Sequence, residues 1–134
     1  MSKRAVTTSQ APVPVASYSQ AVVVGETVYL AGQGGFNAST RELVGRGIGE
    51  QTRQAFGNLA EVLSAAGGTL DDLVSVSVYL ADDAEFEGMN EVYGDMFSAP
   101  YPARTTVAAG LGPGMRVEID GVAVLGCAPG KAST

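Results

Sequence analysis

The segment from Pro100 to Leu125 restricts the possible folds more than any other part of this chain, because it predicts two strands separated by glycines. Pro102 cannot continue a helix and extends the backbone before it, so the first strand is expected to start near Ala103. Glycines and a proline between residues 110 and 114 predict a turn. Apolar and charged residues alternate after it, which predicts one buried and one open face. The buried set is Met115, Val117, Ile119 and Ala123, and the open set is Arg116, Glu118 and Asp120.

This arrangement predicts that the two strands are neighbours and bring an arginine close to a glutamate. Arg104 lies at the start of the first strand and Glu118 lies within the second. Two interpretations follow from the residue types alone: the pair forms a salt bridge, or it forms a site.

The rest of the chain predicts three more strands, two of them in a hairpin, and two helices. Gly25-Glu26 separates two β-branched runs and predicts a hairpin. Apolar residues recur at three- and four-residue steps from Ile48 to Ala66, which predicts a helix that Gly67 and Gly68 end. The run LDDLVSVSVYLA at 70–81 predicts a strand, and Asp82 or Asp83 is expected to cap a second helix. The strand's buried face is expected to hold Val74, Val76, Val78 and Leu80, and the helix's apolar stripe Phe86, Met89 or Asn90, Tyr93 and Phe97.

The predicted order ββαβαββ indicates a single α+β domain over residues 1–134, with both helices packed on one face of the sheet. Residues 1–17 are expected to be an extended lead-in and residues 127–134 a tail. The opposite face is predicted to combine valines with polar residues, including Arg104, Thr106 and Glu118. Such a mixed face favours cover by another copy of the chain, so a homo-oligomer is expected.

Charge and composition exclude several classes of function. Eight basic residues against fourteen acidic ones give a net charge of −6, which disfavours nucleic-acid binding. No histidine and a single cysteine exclude histidine-assisted catalysis and imidazole zinc sites, so no metal is expected. No apolar segment approaches the length of a membrane span, and a cytoplasmic protein without a membrane partner is predicted.

Arg104 and Glu118 are the strongest candidates for chemistry. A guanidinium pairs with both oxygens of a carboxylate, so Arg104 suits a small organic acid; the alternative is a structural ion pair. Glu118 suits proton transfer to or from water, and its alternative is an ordinary strand residue facing solvent.

Three further residues have both a functional and a structural interpretation. Tyr18 opens the first strand and either closes a pocket or covers the edge of the core. Asn90 lies beside the helical stripe, where its amide either binds backbone or lines a cleft. Thr106 is a common strand residue that also offers a hydroxyl to a ligand.

Taken together, several motifs in order resemble the Rid family of reactive-intermediate deaminases, also called the YjgF family. They are AP-x-P at 11–14, YSQAV at 18–22, AGQ at 31–33, EQTRQAFGNL at 50–59, AAGGTLDDLV at 65–74, NEVYGDMF at 90–97, PYPARTTV at 100–107 and VEID at 117–120. The similarity runs from Ala11 to about Ala123, nearly the whole chain.

The resemblance implies a chorismate mutase-like α+β subunit that forms a homotrimer with sites between subunits. It implies hydrolysis of 2-imino acids, or their enamine forms, to 2-keto acids and ammonia, without a cofactor. Arg104 would hold the substrate carboxylate and Glu118 would activate water. The expected substrate-binding residues are Tyr18, Ala31, Gly32, Asn90, Arg104 and Thr106.

The sequence departs from the family pattern at three positions. Many members have serine at the position of Ala31, cysteine at that of Thr106, and glycine at that of Ala16. These changes leave the carboxylate clamp in place but put the preferred substrate side chain in question. Other functions stay open: an imine hydrolase dedicated to one pathway, a non-catalytic trimer that binds small carboxylates, and an endoribonuclease, which the acidic charge disfavours.

Overall fold

The computed structural model describes residues 1–129 and has a mixed α+β architecture, as the sequence predicts. Within residues 1–129, one six-stranded sheet carries two α-helices, and its strand order is β1-β2-β3-β6-β4-β5. The strands are β1 (Arg4–Val6), β2 (Ala21–Val24), β3 (Thr27–Gly34), β4 (Leu73–Leu80), β5 (Ala103–Ala108) and β6 (Val117–Val124). The helices are α1 (Ile48–Ala66) and α2 (Phe86–Met96).

A single hydrophobic core joins both helices to one face of the sheet. Phe56 of α1 and Met89 of α2 are fully buried in the same cluster as Val78 and Ile119 of the sheet. Because every second residue of β6 from Val117 is buried, the predicted alternation of that strand is confirmed. The other face of the sheet stays open within one chain.

The bounds of α1 agree with the sequence prediction because local signals set them. Ile48 begins the helix and Gly67 ends it in the left-handed conformation, with φ 95°. The N–H of Gly68 donates to the carbonyl of Leu63 at 2.8 Å, which satisfies a carbonyl at the helix end. The predicted hairpin at Gly25, with φ 60°, is also present between β2 and β3.

The predicted contact between the two C-terminal strands is wrong. β6 lies between β3 and β4, and β5 pairs with β4 in parallel at the edge of the sheet. The glycine-rich segment therefore crosses over β4 instead of closing a tight hairpin.

The predicted face of Arg104 and Thr106 is also wrong, for the same reason. Parallel pairing places Arg104 beside Val76 and Thr106 beside Val78, and both valines are buried. Neighbouring residues of paired strands point to the same side, so these two side chains lie on the helix face. Glu118 pairs with half-buried Tyr79 and lies on the open face.

Two smaller expectations need correction. The predicted lead-in contains an additional short strand, since β1 pairs with β2. Val74 is 41% exposed instead of buried, because the register shifts between Leu73 and Ser75 and turns Leu73 into the core.

The predicted tail is anchored where the structure describes it. Ala128 is buried, and its N–H donates to Asp72 Oδ1 at 3.0 Å. The part of that prediction that concerns residues 130–134 lies outside the described residues. Within residues 1–129, no helix is both long and apolar enough to cross a membrane.

Candidate active site

Glu118 lies at one of two hollows that contain predicted site residues. The hollow has a volume of about 330 Å³ and is also lined by Gly32 and Tyr18. This volume lies at the lower end of the range for small-molecule sites. Its other walls are largely apolar and come from the lead-in, the loop after β3 and the segment before β6. They include Pro12, Val13, Val15, Phe36 and Met115.

Gly32 leaves room for the carboxylate of Glu118. A Cβ atom at position 32 would overlap Glu118 Oε2, so only glycine accepts this approach without moving the acid. The register of β3 against β6 shifts between Leu30 and Gln33, which bulges the strand at this point. Ala31 lies in the bulge, and its N–H donates to the carbonyl of Gln20 at 3.0 Å.

Gln20 holds the lead-in against this hollow, and the sequence reasoning missed it. Its side chain is buried and accepts from the N–H of Thr8 at 2.7 Å. Its amide nitrogen donates to the carbonyls of Thr8, Ala11 and Pro12 at 3.0, 3.3 and 2.9 Å. The available signal was a glutamine directly before the apolar run Ala21–Val24. Tyr18, two residues earlier, remains 52% exposed at the rim of the hollow.

Arg104 lies at the second hollow, of about 420 Å³, together with Asn90 and Tyr93. Its Nη1 donates to Asn90 Oδ1 at 2.8 Å. Its guanidinium carbon lies 4.4 Å from the ring centre of Tyr93 and 5.4 Å from that of Phe86. These contacts are cation–π interactions, and with the amide they fix the direction of the guanidinium.

Among the described residues, Arg104 does not form the structural ion pair that was its alternative interpretation. Within residues 1–129 the side-chain salt bridges join Arg53 to Asp95 and Arg116 to Glu85. Arg104 and Glu118 take part in neither. Both predicted site residues therefore keep their charge available to a ligand.

Two buried hydroxyl groups near Arg104 have no hydrogen-bond partner among the described residues: Tyr93 OH and Thr106 Oγ1. Burial raises the pKa of Tyr93, while the neighbouring charge of Arg104 acts in the opposite direction. Thr106 lies two residues beyond Arg104 on the same face of β5 and lines neither hollow.

On the open face beside Glu118, a second carboxylate, that of Asp120, accepts a hydrogen bond from a tyrosine. Tyr79 donates from its hydroxyl to Asp120 Oδ2 at 2.9 Å. This hydrogen bond is the main reason that the pKa of Tyr79 is raised, with burial and the charges of Asp120 and Glu118 adding to it. Asp120 is therefore engaged, while Glu118 faces the hollow.

One chain thus brings the predicted residues together in two groups and not in one. Tyr18, Gly32 and Glu118 share the glutamate hollow, and Asn90 and Arg104 share the arginine hollow. Ala31 precedes Gly32 and Thr106 follows Arg104 by two residues, but neither Ala31 nor Thr106 lines a hollow. Arg41, which no sequence motif singled out, also lines the glutamate hollow. Among the described residues, no group of three or more acidic or cysteine side chains is placed to hold a metal ion.

A six-stranded sheet with two α-helices packed on one face places the chain in a class of small α+β proteins with solved structures. RidA from Psychrobacter sp. PAMC 21119 superposes with a TM-score of 0.87 at 42% identity, covering 91% of this chain and 99% of that one. The family described as Endoribonuclease L-PSP matches residues 8–125. The chain belongs to this family, the Rid or YjgF family of the sequence resemblance.

Several curated relatives share one description. A 2-iminobutanoate/2-iminopropanoate deaminase of Dermatophagoides farinae is 42% identical over 92% of this chain and 97% of its own length. The Homo sapiens protein of the same description is 40% identical over 92% of this chain and 91% of its own length.

Proposed function

We propose that this protein is a hydrolytic deaminase that converts 2-imino acids to 2-keto acids and ammonia. The observation that carries the proposal is the carboxylate of Glu118, held in a hollow beside Gly32 without an ion-pair partner in residues 1–129. The relatives described as 2-iminobutanoate/2-iminopropanoate deaminases support an imine as the electrophile, since they match nearly the whole chain.

The reaction requires few groups because an imine is already activated. Water adds to C2 of the imine, with Glu118 taking the proton as the new C–O bond forms. That proton passes to the imine nitrogen, which gives a carbinolamine. Glu118 then takes the proton of the C2 hydroxyl as the C=O bond forms and passes it to the nitrogen, so that the C–N bond breaks and ammonia leaves a 2-keto acid. Glu118 is thus restored at the end of each cycle, and the described steps need no redox change.

Arg104 is the group that holds the substrate carboxylate in this proposal. Its guanidinium is fixed by Asn90 and by the rings of Tyr93 and Phe86, so little side-chain freedom is lost when a ligand binds. Two parallel hydrogen bonds from the guanidinium would orient C2 of the substrate relative to the water.

The site is proposed to form between copies of the chain in a homotrimer. Arg104 faces the helices, whereas Glu118 faces the open side of the sheet, so one chain does not present both to one small molecule. Tyr29 and Val107, which also lie on the open side, are 51% and 45% exposed and favour cover by another copy. The cytoplasmic location stays a prediction from the sequence.

The proposal is tested with 2-imino acids made in situ by an amino-acid oxidase, in the presence of semicarbazide. The wild-type protein should lower the amount of captured semicarbazone, since it hydrolyses the imine first. Arg104→Ala should lose this effect by about a hundredfold in rate, the scale expected for a charged hydrogen-bonding clamp.

The matched control is Arg53→Ala, which removes an exposed arginine that pairs with Asp95 and lines neither hollow. This variant should behave as wild type. Equal semicarbazone capture with and without the wild-type protein would refute the deaminase function.

A further inference from the structure

Arg41 lies in a loop between β3 and α1 that is held closed by its own hydrogen bonds. Phe36 and Leu43 form a bridge across its base. The N–H of Arg41 donates to the carbonyl of Asn37, and the N–H of Asn37 donates to the carbonyl of Glu42, both at 2.8 Å. Asn58 of α1 donates to the carbonyl of Phe36 at 2.9 Å and fixes the loop to the helix. The position of Arg41 is therefore set by the fold.

The backbone of Arg41 is in a conformation that favours glycine. Its φ is 65°, and it is the non-glycine residue with a positive φ in the described part of the chain. A side chain at such a position is strained, and strain of this kind is concentrated at functional sites. This observation gives a reason to ask what the guanidinium does.

Arg41 lines the same hollow as Glu118. Arg41 is exposed and lines the hollow, so its side chain lies at the solvent side. Among the residues that line this hollow, Arg41 is the cation and Glu118 the anion, and neither is in a salt bridge within residues 1–129. The remaining walls offer no second positive charge.

We propose that Arg41 is a specificity-determining residue, and that it binds an acceptor group at the far end of the substrate side chain. The inference rests on the proposed function, in which Arg104 of another copy already holds the carboxylate at C1. A second carboxylate is the acceptor that a guanidinium pairs with best. The site would then accept the imines of acidic amino acids as well as small aliphatic ones.

The test compares two imines that differ in their side chain. D-amino-acid oxidase acting on D-alanine supplies 2-iminopropanoate, and D-aspartate oxidase acting on D-glutamate supplies 2-iminoglutarate; oxidation removes the stereocentre. The measured quantity is the ratio of kcat/KM for 2-iminoglutarate to kcat/KM for 2-iminopropanoate. This ratio should fall about fivefold in Arg41→Gly, the upper end for an exposed ion pair, mainly through KM for 2-iminoglutarate.

Two further variants separate charge from position. Glycine accepts the backbone of residue 41 without strain, so Arg41→Gly is expected to fold. Arg41→Lys keeps the charge but loses the planar fork, and its ratio should lie between those of wild type and Arg41→Gly. Arg46→Ala removes an exposed arginine that does not line the hollow, and it should leave the ratio as in wild type.

The outcomes separate this inference from the proposed function. Hydrolysis of neither imine by the wild-type protein overturns the deaminase function, and the role of Arg41 with it. Hydrolysis of 2-iminopropanoate without hydrolysis of 2-iminoglutarate overturns the role of Arg41 alone. An equal ratio in wild type and Arg41→Gly has the same meaning. A second readout is the melting shift with 2-oxoglutarate relative to that with 2-oxobutanoate, and this relative shift should decrease in Arg41→Gly.

Discussion

The space in front of the Glu118 carboxylate depends on one missing side chain. A Cβ atom at position 32 would overlap Glu118 Oε2, which is the flexible end of a side chain and not part of the backbone. Gly32→Ala should therefore displace the acid at little cost in stability. We expect the rate of imine hydrolysis to fall by about tenfold or more, because small displacements of a reacting group are costly. Semicarbazide capture measures the rate, and thermal unfolding measures the stability.

Gly57→Ala is the matched control for that experiment. A Cβ atom at Gly57, on the exposed side of α1, meets nothing within 4 Å. Alanine should stabilise the helix there by about 0.5–1 kcal/mol and leave the rate unchanged. A Gly32→Ala protein with the full wild-type rate would mean that the position of Glu118 does not matter.

The identity of the candidate residues was accessible from sequence, but their surroundings were not. The strand pattern left both a functional and a structural interpretation of Arg104 and Glu118, and the family resemblance made them the predicted site residues. Phe86 looked like part of an apolar stripe, yet it is 38% exposed and contacts the guanidinium of Arg104. Asn90 is exposed as well, and its side-chain oxygen accepts a hydrogen bond from that same arginine. Which residues stack on a cation depends on tertiary contacts that periodicity does not report.

Among the elements, those set by neighbouring residues were predicted best. α1 has a regular apolar stripe and a glycine end signal, and both act within a few residues. The order of strands depends on contacts between residues far apart in sequence. β6 is inserted between β3 and β4, and this insertion turns Arg104 to the helix face. One wrong neighbour was enough to place an arginine on the wrong side of the sheet.

The lead-in forms part of the glutamate hollow only because Gln20 holds it there. Gln20 makes its hydrogen bonds to backbone groups of Thr8, Ala11 and Pro12, and it is buried. Gln20→Ala would leave these groups without their partner and should reduce the free energy of unfolding by about 2–4 kcal/mol. The lead-in should also become accessible to protease, and KM for imines should rise. Urea unfolding, limited proteolysis and semicarbazide capture measure these effects.

Gln10→Ala serves as the control, because Gln10 is an exposed glutamine of the same segment. It should change none of the three measurements. If Gln20→Ala left the lead-in as resistant to protease as in wild type, the side chain of Gln20 would not be what anchors it.

At the scale of the whole molecule, the two hollows explain why the predicted site is incomplete in one chain. Glu118 is on the open face with Tyr18 and Gly32, and Arg104 is on the helix face at the edge strand β5. The sequence similarity predicts that these residues act together, whereas the topology of one chain keeps them apart. Assembly from several copies, as proposed above, would place the arginine hollow of one copy next to the glutamate hollow of another. Symmetry would then repeat this pairing around the oligomer.

Mixing two inactive variants tests this assembly directly. Arg104→Ala retains Glu118, and Glu118→Gln retains Arg104, so each protein alone should be inactive. If each site takes its arginine from one copy and its glutamate from the next, randomly mixed oligomers contain intact sites in about a quarter of positions. Unfolding and refolding the two variants together should therefore restore about a quarter of the wild-type rate, whereas refolding each alone should restore none. A mixture that stays inactive, although native mass spectrometry shows mixed oligomers, would place both groups in the same chain's site and refute the shared arrangement.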